Sequence, residues 1–70
     1  MTNSVLKLLQ RNIKKYRIEK GLTQVELAVE SDLSVDFISG IERGVRLPSM
    51  EAFVKIAKAL GVEPCKFFMK

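Results

Sequence analysis

Start and stop residues for helices recur through this chain at short intervals, and this punctuation limits its possible folds more than any other feature. Gly21, Gly44 and Gly61 each follow a stretch of helix-period apolar residues, where glycine commonly ends a helix in the left-handed conformation. Thr23, Ser34 and Ser49 precede the next stretches, where a side-chain oxygen can accept from an orphan backbone N–H. Thr23 is followed three residues later by Glu26, the spacing of a capping box. Strict apolar/polar alternation never persists, so strands are not expected. The sequence therefore predicts an all-α chain of five short helices. The first starts after Asn3 or Ser4 and runs to Gly21, with Leu6, Leu9, Ile13 and Tyr16 on one face. The second starts at Thr23 and turns Leu27 and Ala28 inward. Asp32-Leu33-Ser34 breaks the pattern, since Asp tolerates left-handed geometry, and Ser34 opens a third helix carrying Ile38 and Ile41. Ser49 caps a fourth helix with Met50, Phe53, Ile56, Ala57 and Leu60 as its apolar set. Pro64 opens a short fifth through Phe67 and Phe68.

With 70 residues, the segment 1–70 is expected to form one domain. A single core of this size supplies only about 3–5 kcal/mol, which makes a second subunit useful. One cysteine, Cys65, and no histidine leave neither an internal disulfide nor a zinc site. No cofactor or metal is expected. No catalytic nucleophile stands at a useful spacing from a base and no glycine-rich phosphate loop is present, so an enzyme is not expected. Without a long apolar run or signal-peptide pattern, the expected location is the cytoplasm, with no membrane partner.

The net charge of +4 is unevenly spread. Residues 1–20 carry +5, residues 43–70 carry +4, and residues 21–42 carry −5 with no Lys or Arg among them. Any attraction to a polyanion must then come from the first helix, from the segment after Glu42, or from uncharged donors. The basic stripe Lys7, Arg11 and Lys14 reads as a solvated face that contributes at most long-range steering.

Two short helices joined by a tight turn, here about residues 24–43, form a helix-turn-helix unit whose second member can enter the DNA major groove. The string Gly21-Leu22-Thr23-Gln24, then Leu27-Ala28, Ile38-Ser39-Gly40-Ile41-Glu42-Arg43-Gly44 and Pro48-Ser49 resembles the Cro/cI-type (xenobiotic-response-element-like) repressor domain over about residues 9–68. Within it, Phe37 to Arg43 and the closing Phe67-Phe68 look similar to controller proteins of restriction–modification systems. The resemblance implies a regulator of transcription that binds double-stranded DNA at a palindromic operator as a homodimer. The alternative, from a different class, is a protein-interaction module that kept the fold, such as the antitoxin of a toxin–antitoxin pair.

The resemblance also implies roles. Ala28 matches the small residue where the two helices cross, and Arg17 and Glu42 match a structural ion pair tying the first helix to the end of the third. Gln24 matches a glutamine whose amide donates to a phosphate at a helix N-terminus. The exposed positions Ser34, Val35, Asp36, Ser39 and Gly40 would face the bases. None is a long basic or amide side chain, so the surface must use Asp36 accepting from cytosine, Val35 on a thymine methyl, Ser39 as a short donor, or DNA shape. Gly40 would permit close approach to DNA. Arg43 and Arg46 follow as phosphate contacts. The usual turn glycine is Asp32 here, and Ser31 stands at an inward position usually apolar. Phe67 and Phe68 are expected at the dimer interface, since Phe67, Phe68 and Met69 cannot all turn inward from one short helix.

Overall fold

The computed structural model of the chain describes residues 2–70, the side chains of 2 and 3 excepted. Four α-helices, α1 (Thr2–Glu19), α2 (Gln24–Ser31), α3 (Val35–Glu42) and α4 (Met50–Leu60), are followed by a 3₁₀ turn, Pro64–Phe68. No strand occurs among the described residues. The expected fifth helix is thus a 3₁₀ turn. Five residues opened by a proline are too few to repay α-helix nucleation, and i→i+3 bonds close so short a segment. α1 begins at Thr2, ahead of its expected start.

The caps act as their chemistry requires. Glu26 N donates to Thr23 Oγ1 at 3.0 Å while Thr23 N donates to Glu26 Oε1 at 2.8 Å, completing the capping box. Ser34 Oγ accepts from Phe37 N, and Ser49 Oγ from Ala52 N, both at 3.1 Å. Asp32 takes φ 58° and ψ 43° in the turn between α2 and α3, the left-handed geometry for which a glycine would otherwise be chosen. Ser31 is buried, and its hydroxyl donates back to Leu27 O at 2.7 Å, so a polar group at an inward position is satisfied within its own helix.

Ile13 from α1, Leu27 from α2, Ile38 and Ile41 from α3, Ile56 from α4 and Phe67 from the 3₁₀ turn are wholly enclosed and meet in one core. Phe67 stands edge-on to Tyr16 and Phe53, with ring centroids 5.2 and 5.3 Å away. It therefore belongs to the monomer's core, which corrects its assignment to a dimer surface. A short helix must direct one side chain inward to be held at all, and here that residue is Phe67. Phe68 keeps 44% exposure beside Phe53. Met50, expected in the apolar set of α4, is 74% exposed because the first helical residue lies beyond the edge of the buried stripe.

The 3₁₀ turn is tied down by Asn12. This buried amide donates from Nδ2 to both Phe67 O and Met69 O at 2.8 Å. Asn12 lies within the apolar stripe of α1, one position before Ile13, and that placement is the sequence signal that marks it.

Candidate nucleic-acid interface

The helix-turn-helix unit is locked at its open end by one polar cluster. Arg17 on α1 forks onto Glu42 at the end of α3, with Nε donating to Oε2 at 2.7 Å and Nη2 to Oε1 at 3.0 Å. Its Nη1 donates to Leu22 O at 2.7 Å, so one guanidinium holds α1, the link to α2, and α3 together. The two side chains are 11% and 3% exposed. Gln24 adds a third donor, from Nε2 to Glu42 Oε1 at 3.0 Å. The ion pair expected from the resemblance is therefore present. Gln24, expected only as a phosphate donor, is joined to it. One of its amide hydrogens is committed within the protein, and the second remains for an outside acceptor.

α3 offers its N-terminal outer face to solvent. Val35 is 38% exposed, and Ser34 and Asp36 are exposed beside it. Ser34 Oγ serves as the cap and keeps its own O–H free to donate. Asp36 lies in the first turn, where the helix dipole favours an anion. Ser39 is half-buried, and its Oγ accepts from Arg43 Nε at 3.3 Å, which draws Arg43 back along α3.

Gly40 requires a correction. It is buried rather than open to DNA, because the stem of Arg46 lies across it. A Cβ built there would stand 3.0 Å from both Cγ and Cδ of Arg46. Val45 N and Arg46 N both donate to Gly40 O, at 2.9 and 3.1 Å, and the Arg46 guanidinium lies 5.8 Å from the centre of the Phe37 ring. The close approach that glycine permits is thus between two parts of this chain. The loop after α3 is also held from α1. Gln10, a buried amide that sequence reasoning passed over, donates to Arg46 O at 3.0 Å.

The result is a short helix with a small, acidic and apolar tip, followed at its C-terminal end by two arginines that the fold positions individually. Such a surface offers a tip narrow enough for a groove and cations for a phosphate backbone. The fold and this arrangement define the class: the helix-turn-helix pattern spans residues 13–67, and the chain belongs to that family, of Cro/cI type. Among its relatives is the control protein C.BamHI of Bacillus amyloliquefaciens, 43% identical over 65 residues that cover 91% of this chain and 80% of that one. The crystal structure of the restriction–modification controller protein C.AhdI from Aeromonas hydrophila superposes with a TM-score of 0.86 at 36% identity, covering 90% and 96% of the two chains. The controller protein C.Esp1396I bound to a 19 base pair DNA duplex gives a TM-score of 0.83 at 42% identity, covering 91% and 85%.

Proposed function

We propose that this chain is a sequence-specific DNA-binding regulator of transcription that acts as a homodimer on a symmetric operator. The first turn of α3 in each subunit enters one of two successive major grooves. The observation that carries this reading is the locked helix-turn-helix, in which the Arg17–Glu42–Gln24 cluster fixes α3 with Val35 and Asp36 outward. Its relatives include a control protein and a controller protein seen on DNA, which favours DNA over a toxin as the partner.

Phosphates are held by the second amide hydrogen of Gln24 and by Arg43 and Arg46, because α3 itself carries no cation. Bases are read by Asp36, Val35, Ser39 and the Ser34 hydroxyl. Gly40 serves this surface indirectly, by giving Arg46 room to lie over α3. Phe68 and the neighbouring Met69, 60% exposed, provide the apolar patch that pairs with its own copy across a two-fold axis. No helix among the described residues is long and apolar enough to cross a membrane, and the cytoplasm is the compartment where such a regulator meets DNA. The test is selection of bound sites from random duplex DNA at fixed salt. Enrichment of a symmetric site with half-sites about one helical turn apart is expected; recovery of unenriched DNA removes the reading.

A further inference from the structure

The basic stripe of α1 is not isolated. Lys7, Arg11 and Lys14 stand on one exposed face of the helix, spread along about 10 Å of its axis. A groove of about 400 Å³ runs between this stripe and the end of α3, with Arg43 and Gly44 on its far wall. A second hollow, lined by Lys7 and Arg11 again, carries the same surface on to Lys70. Five basic side chains thus share one track. Among the described residues none of the five has a carboxylate within ion-pair distance. The one acid on its walls, Glu42, is already engaged by Arg17 and Gln24. Like charges at i, i+4 destabilise a helix unless something neutralises them.

We infer that this track is a second DNA-contacting surface, which holds phosphates of the same duplex whose groove α3 enters. The inference rests on the DNA reading above. It commits to DNA because Arg43 belongs to both surfaces, so a backbone gripped by Arg43 continues directly onto α1. The stripe is also long enough to meet more than one phosphate of a strand. The acidic stretch 21–42 makes such flanking attraction necessary, since α3 brings only negative charge to a negative polymer.

The test uses the whole chain and the duplex recovered by selection. Binding is measured between about 50 and about 200 mM salt for the wild type and for Lys7→Gln/Arg11→Gln/Lys14→Gln. All three side chains are exposed, so the fold is expected to persist, and the single substitutions give the same readout in thirds. Loss of three contacts lowers the log–log salt slope by about 2.7 per subunit, so across that range the wild type's advantage shrinks about 40-fold for each subunit bound, roughly 2,000-fold for a dimer on the symmetric duplex. Duplexes neutralised at single backbone positions by methylphosphonate then locate the contact. Two or three adjacent positions should weaken the wild type and leave the triple variant unaffected. Identical methylphosphonate profiles for the two proteins overturn the inference, because a remote field has no preferred position. If polyglutamate binds the wild type but not the triple variant while those profiles coincide, the track belongs to an acidic protein, and the inference is again overturned. A wild type that prefers no selected duplex is a different result, which removes the DNA reading and the track's assignment with it.

Discussion

Glu42 sits in the last turn of α3, the end at which the helix dipole disfavours an anion, and Arg17 and Gln24 offset that penalty together. Removing either charge leaves the other enclosed and unpaired. Arg17→Ala and Glu42→Ala should each cost about 3–5 kcal/mol, with the double variant far less destabilised than their sum. Urea melts of the four proteins, run in a stabilising osmolyte so that the single variants keep a folded baseline, measure this coupling, and a value near zero would remove the pair from the scaffold. Gly40 gives a second residue-scale expectation. In Gly40→Ala the new Cβ displaces the Arg46 stem, while helix propensity gains about 1 kcal/mol. Stability should hold or rise while affinity for all DNA sequences falls. On an Arg46→Ala background the same change should leave DNA binding untouched. Sequence reasoning reached Arg17 and Glu42 only through the family resemblance, since charges 25 positions apart carry no local signal. It took Gly40 as an opening toward DNA because the residue that fills that space comes from the following loop.

At the scale of elements, the capping chemistry was legible because it is local. Thr23 with Glu26, Ser34, Ser49 and the left-handed Asp32 each act within three or four residues of their own position. The closing element at Pro64 was legible as a short turn of helix, but what ties it down was not, because the donor, Asn12, lies 55 and 57 positions away from the carbonyls it meets. Asn12→Ala removes both donors from carbonyls at the end of the chain. It is expected to cost roughly 1–3 kcal/mol and to release residues 64–69 before the rest of the fold. Native-state hydrogen exchange checks this: amides in that segment should lose protection while those of α2 and α3 keep theirs. Uniform loss across all helices would mean that Asn12 supports the whole core rather than its last element.

For the whole molecule, the two adjacent phenylalanines are expected to separate folding from assembly. Phe67→Ala empties the centre of the core and should cost about 3–5 kcal/mol, whereas Phe68→Asp should leave the monomer folded and abolish the dimer in sedimentation. An unchanged assembly in Phe68→Asp places the two-fold axis elsewhere. Spacing could say that Phe67, Phe68 and Met69 do not all turn inward, but it placed both phenylalanines at the interface, because which of them enters the core depends on where Tyr16 and Phe53 stand. Whether the tip of α3 reads bases is decided at Asp36. Replacing it with Ala removes a repulsion from nearby phosphates together with any bond to cytosine. Fluorescence anisotropy of the wild type and Asp36→Ala is run on the selected operator and its single-base variants, at several salt concentrations. Non-specific affinity is expected to rise in the variant while preference at one base pair of each half-site relaxes by about 1–3 kcal/mol. Equal shifts on every sequence, with no base pair singled out, would contradict it.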